Sequence, residues 1–169
     1  GVSNATWRLI DPFNNIIFSL GFTTDQDTLV IPRSGIHTLI IEGRRNAGSG
    51  TSGYTFNVQP VGLPVTTAVN VGETVSGAIS VAGESDVYSF TIGSDSRLHF
   101  DSFTNDSGID WTLAGPGGTA VSRRSFTGSD SFDNGNPVLN LPAGAYTVTV
   151  DGNGDVTGGY SFRMLDFAS

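Results

Sequence analysis

Apolar side chains recur at every second position in several short runs of this chain, and glycine, proline, serine and asparagine separate the runs. Between residues 146 and 150 a tyrosine and two valines alternate with threonines, and residues 160–164 continue the pattern with aromatic residues and a methionine. A period of two puts alternate side chains on one face, so each run predicts a β-strand with one buried face. Pro142 and Gly144 are typical of a tight turn leading into the first strand. Together the runs predict a β-hairpin with an aromatic inner face.

The hairpin pattern occurs twice in the chain. Residues 29–43 and 53–58 repeat the order of apolar and turn residues found at 139–152 and 159–164. A Trp-x-Leu motif followed by proline stands ahead of each copy, at residues 7–12 and again 104 residues later. The chain is therefore predicted to be a tandem repeat of one β module, with strands in the core and variable loops at the surface.

Only the second copy carries a full set of strand patterns. Two prolines that flank a glycine within residues 59–64 interrupt strand pairing and indicate a junction. Further alternating runs follow the junction, at residues 71–79, 86–92 and 98–103. No long run has the period of a helix, so the predicted class is all-β. With roughly seven or eight short strands, residues 61–169 are predicted to form a complete jelly-roll-like antiparallel β-sandwich.

The first copy, residues 1–60, is predicted to be the C-terminal half of another sandwich unit. An isolated half leaves an apolar face in water and strand edges unpaired. We therefore expect either the missing N-terminal half of a longer parent protein or strands of a neighbouring subunit to complete it. The predicted partners are thus neighbouring repeats or subunits of the same protein. A head-to-tail contact that does not close into a ring further predicts a filament.

The composition excludes several kinds of partner and chemistry. The 169 residues carry a formal net charge of −8, all eight basic residues are arginines, and there is no cysteine. An acidic surface repels phosphate backbones, so nucleic acid is not expected as a partner. Without cysteine there is no disulfide or thiolate chemistry, and without an apolar run of about 18 residues no membrane insertion is predicted. The only methionine is Met164, so we expect the chain to be processed or excised from a longer protein.

Catalytic chemistry is not predicted. Of the two histidines, His37 aligns with Tyr146 of the second copy, and His99 points away from the face shared by its neighbours Leu98 and Phe100. Both positions are typical of structural side chains. The sequence contains no Gly-x-Ser-x-Gly, P-loop or His-Glu-x-x-His motif. We therefore predict that the protein is not an enzyme.

Three acidic loops are candidates for calcium binding. They lie at residues 105–110, 130–136 and 151–155 and cluster Asp, Asn and Ser, whose oxygens are the ligands that calcium prefers. The best candidate ligands are Asp106, Asp110, Asp130 and Asp133. The alternative is that these residues occupy solvated β-turns, where Asp and Asn tolerate left-handed φ. The sequence leaves both interpretations open.

Two phenylalanines and two arginine pairs stand outside the strand alternation. Phe126 and Phe132 lie in the variable loop 122–138 and are candidates for a binding patch for carbohydrate or collagen. The adjacent arginines at 44–45 and 123–124 are isolated basic pairs in an acidic chain. We expect these arginines to form ion pairs with acidic loops of a neighbouring subunit.

Four short motifs resemble those of the bacterial pre-peptidase C-terminal domain family. They are Gly77-x-Ile79, Asp86-x-Tyr88-x-Phe90, Pro142-x-Gly144-x-Tyr146-Thr-Val and Gly159-Tyr160-x-Phe162. The resemblance covers residues 69–166 and, for the later motifs only, residues 7–58. The family includes the collagen-binding modules of clostridial collagenases. Membership implies a non-catalytic, jelly-roll-like β-sandwich of secreted proteins that sometimes binds calcium and often occurs in tandem or attached to an enzyme.

The repeat pattern and the resemblance favour an extracellular or cell-surface module without catalytic activity. We expect a β-sandwich repeat that acts as an adhesion, spacer or assembly element of a larger bacterial surface or secreted protein. The alternative is an accessory module of a secreted hydrolase that binds a protein fibre or a polysaccharide. The flanking sequences distinguish the two, because further copies favour the array and a peptidase domain favours the accessory role.

Overall fold

The computed structural model describes residues 4–44, 51, 53–130 and 132–167. Its elements in these ranges are β-strands, apart from one short 3-10 helix. The chain divides into two compact units, Gly1–Gln59 and Pro60–Ser169, which we call unit 1 and unit 2. Among the described residues there is no helix with the length and hydropathy that a membrane span requires.

Unit 2 is a sandwich of two sheets. Its strands are β4 (Thr66–Ala68), β5 (Thr74–Ile79), β6 (Ser85–Ile92), β7 (Ser96–Ser102), β8 (Ile109–Gly115), β9 (Gly118–Ser125), β10 (Val138–Leu141), β11 (Gly144–Gly152) and β12 (Gly158–Asp166), with the 3-10 helix at Thr127–Ser129. One sheet has the order β4-β6-β11-β8-β9 and the other β10-β7-β12-β5. Neighbouring strands are antiparallel except β4 and β6, which are parallel. Side chains of both sheets meet in one core, so the predicted all-β sandwich is confirmed.

Aromatic side chains from both sheets fill the core of unit 2. Phe100 of β7 lies parallel to Trp111 of β8 with 3.9 Å between ring centroids, and it stacks on Phe162 of β12 at 4.7 Å. Phe126 packs edge-on against Phe100 at 5.3 Å, and its side chain is fully buried. The prediction that Phe126 belongs to an exposed binding patch is therefore wrong. Its backbone N–H donates to the carbonyl of Ile109, and this bond holds the start of the loop against β8.

Unit 1 contains one three-stranded sheet in its described residues. Its strands are β1 (Ala5–Ile10), β2 (Ile16–Gly21) and β3 (Thr38–Gly43), in the order β2-β1-β3. This order matches β9-β8-β11 of unit 2, and the register matches as well. Trp7 pairs with Ile41 across β1 and β3, as Trp111 pairs with Val150 across β8 and β11. The two units therefore share the same part of a sandwich, down to the residue opposite each tryptophan.

The repeat extends to the turn that precedes the hairpin strand. Gly35 has a φ of 130° and Gly144 a φ of 152°, values that favour glycine because it has no Cβ. A Cβ at either position would clash with a proline ring, that of Pro12 in unit 1 and that of Pro116 in unit 2. In each unit the glycine thus lets two turns pack together. The predicted equivalence of the two hairpins includes this contact.

Candidate functional site

β3 is an edge strand, whereas its counterpart β11 is flanked on both sides. β11 pairs with β8 along one edge and with β6 along the other. In the part of the chain that the structure describes, β3 pairs with β1 alone. β2 and its counterpart β9 both lie at sheet edges, so the free edge of β3 is what distinguishes unit 1. Such an edge presents a row of backbone N–H and C=O groups to which a further strand can add.

The face of unit 1 that corresponds to the core of unit 2 is only partly covered. We call it the open face, and it consists of the side chains of Trp7, Leu9, Leu39, Ile41, Tyr54 and Phe56. The four side chains from β1 and β3 are half-buried, whereas their counterparts are almost completely buried, namely Trp111, Leu113, Val148 and Val150. Fully burying one large apolar side chain contributes about 1.5–3 kcal/mol. A partner that covered the open face would therefore stabilise unit 1.

Residues 53–58 show the same difference more strongly. Tyr54 is 52% exposed and Val58 is 71% exposed, whereas their counterparts Tyr160 and Met164 are each 3% exposed. In unit 2 the corresponding segment is β12, which lies between β5 and β7. Residues 53–58 form no strand, and the described residues of unit 1 include no equivalents of β5 and β7. In the described residues of unit 1, the segment equivalent to β12 therefore has no strand on either side.

The two tryptophans differ in their contacts. Trp7 meets Phe18 at 5.0 Å and Phe22 at 5.9 Å, both edge-on and both within unit 1. Trp111 is instead stacked on an aromatic ring of the opposite sheet. Nε1 of Trp111 donates to Ser129 Oγ at 2.6 Å, while Nε1 of Trp7 is buried without an acceptor among the described residues. Trp7 therefore lacks both interactions that hold Trp111 in place.

A hydrogen-bond network joins the two sheets of unit 2. The hydroxyl of Tyr160 donates to Asp86 Oδ2 at 2.5 Å and lies 2.7 Å from the hydroxyl of Tyr88. Burial, together with the hydrogen bond to Asp86, raises the pKa of Tyr160 far above its ordinary value. Burial also raises the pKa of Tyr88. Both phenols therefore stay neutral and can act as hydrogen-bond donors.

Three motifs of the family resemblance converge on this network. Asp86 and Tyr88 belong to one and Tyr160 to another, and Gly77 of the third lies so close that a Cβ there would be 2.5 Å from the hydroxyl oxygen of Tyr160. The sequence did not predict the network, although an acidic residue at a strand start beside an inward-facing tyrosine was a signal for it. The counterpart of Tyr160 in unit 1 is Tyr54, whose half-exposed side chain lies on the open face.

Asp106 and Asp110, two of the predicted calcium ligands, interact with protein groups. Asp106 Oδ1 accepts a hydrogen bond from the backbone N–H of Gly108 at 2.7 Å. Asp110 is buried, and its Oδ2 lies 3.3 Å from the guanidinium of Arg123. The same guanidinium lies 3.7 Å from Asp151. Asp110 therefore already has a positively charged partner within its own unit.

Asp130 and Asp133 belong to a separate turn. Both are exposed, and the N–H of Asp133 donates to the carbonyl oxygen of Asp130 at 3.1 Å. Within the described ranges, no three Asp, Glu or His side chains come together in a group that could hold a metal ion. The four predicted ligands therefore do not fit a common calcium site. Calcium binding itself stays a prediction.

The second arginine pair contacts its own unit. Arg123 pairs with Asp110 as described, and the guanidinium of Arg124 lies over the ring of Trp111 at 5.5 Å. Burial lowers the pKa of Arg124. Both arginines thus contact their own unit, and ion pairs with a neighbouring subunit stay a prediction. Of the first pair, Arg45 lies outside the described residues.

Phe132 and the two histidines complete the predicted positions. Phe132 is 95% exposed, so it remains a candidate for binding without Phe126. His37 is half-buried, and its Nδ1 lies 3.1 Å from the carbonyl oxygen of Gly35. The ring of His99 stacks on Phe167 at 6.0 Å. These contacts agree with the structural roles predicted for both histidines.

Comparison with known proteins adds likenesses of structure. No protein-family model and no curated protein matches the chain. The chain is similar to the pre-peptidase C-terminal domain of a collagenase from Bacillus anthracis, with 19% identity, 64% of this chain and 99% of that one covered, and a TM-score of 0.49. It is also similar to PliG of Salmonella Typhimurium, a periplasmic inhibitor of g-type lysozyme, with 25% identity, 59% and 98% covered, and a TM-score of 0.44. The Bacillus domain carries the name of the family that the motifs resemble.

Proposed function

We propose that this chain is a non-catalytic β-sandwich repeat of a larger secreted or cell-surface bacterial protein. It acts there as an adhesion, spacer or assembly module that joins to further repeats in an array or filament. One observation carries the proposal. The same half of a sandwich occurs twice, once inside a complete sandwich and once with an open face.

The open face supports assembly rather than small-molecule chemistry. A contiguous, partly exposed apolar face of this kind usually marks a protein–protein contact. Because strands cover the equivalent face in unit 2, the partner best suited to it is another part of a repeat. A free strand edge beside the face adds backbone hydrogen bonding to the contact.

The composition supports a location outside the cytoplasm. A chain without cysteine is indifferent to an oxidising environment. A net charge of −8 keeps an exposed repeat soluble at the high local concentration of an array.

Calorimetry of a lengthened chain tests the proposal. A chain with a second copy of residues 60–169 after residue 169 should gain one unfolding transition with the midpoint and enthalpy of unit 2, because each repeat has its own core. A matched chain in which the added copy carries Trp111→Asp should lack the gain. If the intact added copy abolished the unfolding transition of the original unit 2, the module would not be an independent repeat and the proposal would fail.

The second candidate function is binding of a fibre or polysaccharide as an accessory module. It is favoured by Phe132, whose ring is almost wholly exposed on a loop. Co-sedimentation with insoluble collagen or cellulose tests it, with Phe132→Ser against Phe103→Ser as a matched loss of an exposed ring. This function is supported if the protein binds either material, if Phe132→Ser abolishes the binding and if Phe103→Ser preserves it. The absence of binding to either material contradicts it.

A further inference from the structure

We propose that the open face of unit 1 is the docking site for one half-unit with the strand pattern of β4–β7, contributed by a repeat other than unit 2. This inference rests on the proposed function, because it names the part of a repeat that joins the module. Unit 2 shows what the occupant looks like, since there β6 pairs with β11 and β5 and β7 lie on either side of β12, all three within residues 66–102.

The free edge of β3 specifies the first strand of the occupant and its register. In unit 2, β6 pairs with β11 so that Phe90 lies opposite Tyr146 and Tyr88 lies opposite Val148. His37 and Leu39 stand at the equivalent positions of unit 1, because Ile41 matches Val150. The occupant should therefore place a phenylalanine opposite His37 and a tyrosine opposite Leu39. The resulting sheet would have the order found in unit 2.

Residues 53–58 specify the rest of the occupant. Their counterpart β12 is a strand because β5 and β7 pair with it on either side. A single added strand at β3 would leave residues 53–58 unpaired and Tyr54 and Phe56 exposed. The occupant must therefore bring the equivalents of β5 and β7 as well, with an aromatic ring in the place of Phe100 to cover Trp7.

The hydroxyl of Tyr54 specifies the polar chemistry of the occupant. Tyr160, its counterpart, donates to Asp86 and lies beside Tyr88, both of which come from β6. An occupant with Asp-x-Tyr at this point would give Tyr54 the same two partners. It also needs glycine at the position of Gly77, because any side chain there would meet the hydroxyl.

A second copy of this chain does not fit the site as well. Among its described residues, such a copy has strands of the required pattern in β4–β7 alone, and their core side chains are buried in its unit 2, namely Tyr88, Phe90, Leu98 and Phe100. Pairing of two β3 edges would bring neither a β5 nor a β7 to residues 53–58. The occupant is therefore a half-unit that another repeat supplies.

A chain extended at its N-terminus tests the inference. Residue 1 aligns with residue 105, so a copy of residues 61–104 joined directly to residue 1 reproduces the connection within unit 2. We expect the backbone amides of residues 38–43 to exchange with solvent at least tenfold more slowly than in the original chain. Acrylamide quenching of tryptophan fluorescence should also fall. It reports chiefly on Trp7, since Trp111 is already buried at 1% exposure.

The matched control carries Tyr88→Asp and Phe90→Asp in the added copy only. Both side chains face the core in unit 2, so the control should lose the protection while unit 2 stays folded. Equal exchange rates in the original, extended and control chains would overturn the inference. Protection of residues 38–43 in a dimer of the original chain would also overturn it, in favour of a second copy.

A peptide provides a second measurement if the extended chain does not fold. A synthetic peptide of residues 83–94, which contains β6, should slow exchange at residues 38–43 of the original chain, and the same peptide with Tyr88→Ser and Phe90→Ser should not. Suppose that neither the peptide nor the extension slows exchange at residues 38–43, while the chain with a second copy of residues 60–169 shows its additional unfolding transition. This inference is then wrong and the proposed function stands. If instead only the additional unfolding transition were missing, the proposed function would be wrong.

Discussion

Trp7 and Trp111 occupy the same position of the same strand pattern, yet their surroundings differ. Trp111 is stacked on a ring of the opposite sheet and hydrogen-bonded, whereas Trp7 is half-buried and meets Phe18 and Phe22 edge-on. The strands, their order and their register are alike. The comparison therefore teaches that a half-unit specifies its own sheet, while burial of its apolar face depends on strands that lie elsewhere in the sequence.

Separating the units has the largest expected effect on this comparison. Residues 60–169 alone should unfold in one cooperative transition, because they contain both sheets and the core. Residues 1–59 alone should show none, since a three-stranded sheet with an open face buries too little apolar surface. Circular dichroism in urea measures both. A cooperative transition in residues 1–59 would show that this half needs no partner.

Removing each tryptophan sharpens the comparison. Trp111→Ala should lower the free energy of unfolding of unit 2 by about 3–5 kcal/mol, as loss of a fully buried aromatic side chain does. Trp7→Ala should change that free energy by less than about 0.5 kcal/mol, because it lies in the other unit. Urea titrations followed by circular dichroism compare the two. Equal losses would mean that the cores of the units are not separate.

Removing one hydroxyl tests the buried network. Tyr160→Phe leaves Asp86 and Tyr88 without their shared partner, which should cost unit 2 about 1–3 kcal/mol. Tyr54→Phe makes the same change on the open face of unit 1 and should change the free energy of unfolding of unit 2 by less than about 0.5 kcal/mol, as surface substitutions do. Chemical denaturation gives both values. A loss for Tyr54→Phe as large as that for Tyr160→Phe would mean that Tyr54 already has buried partners.

Alkaline pH should weaken unit 2 through the same tyrosines. The pKa values of Tyr160 and Tyr88 are raised in the folded protein from an ordinary value of 10.0. Their neutral forms therefore stabilise the fold fully below about pH 10, and stability falls above it because only the unfolded state ionises. Melting temperatures between pH 8 and pH 11.5 measure the loss. Tyr160→Phe should make the melting temperature fall less steeply with pH above about pH 10. An unchanged fall would show that the tyrosines do not cause it.

Calcium should have the smallest effect. Asp110 forms an ion pair with Arg123, and Asp130 lies in a separate turn. We therefore expect that adding chelator and then excess calcium changes the melting temperature of unit 2 by less than about 1 °C. Differential scanning fluorimetry measures the shift. A rise of several degrees that Asp106→Asn removes would instead support the calcium site predicted from the sequence.

Local patterns explain why much of the fold could be predicted. Alternation of apolar residues depends only on the pleat of a strand, and the turn at Gly144 depends on φ and on a nearby proline. The alignment of His37 with Tyr146 followed from these patterns, and the register of β3 and β11 agrees with it. The open face could be predicted for the same reason, because its residues keep the alternation of their buried counterparts.

Positions outside the alternation could not be predicted in this way. Phe126 follows the end of β9, where the chain enters a 3-10 turn, so a period of two no longer tells which way its ring points. Asp110 was predicted to be a cation ligand because it lies in an acidic loop sequence. Its actual partner, Arg123, lies on another strand, and the two come together only when β8 pairs with β9. Residue type alone could not distinguish an ion pair from a metal site.

The sequence by itself determined the strands, the turns and the repeat of one half-unit, because each depends on residues that are near neighbours in the chain. Only the tertiary structure decided which of two equivalent faces is covered and which polar groups meet beneath it. Asp86 and Tyr160 are 74 residues apart and lie on different sheets. Alternation assigns each to a face of its own strand, but the strand that lies opposite depends on how the sheets pack. The same dependence leaves Tyr54 half-exposed, although its local sequence resembles that of Tyr160.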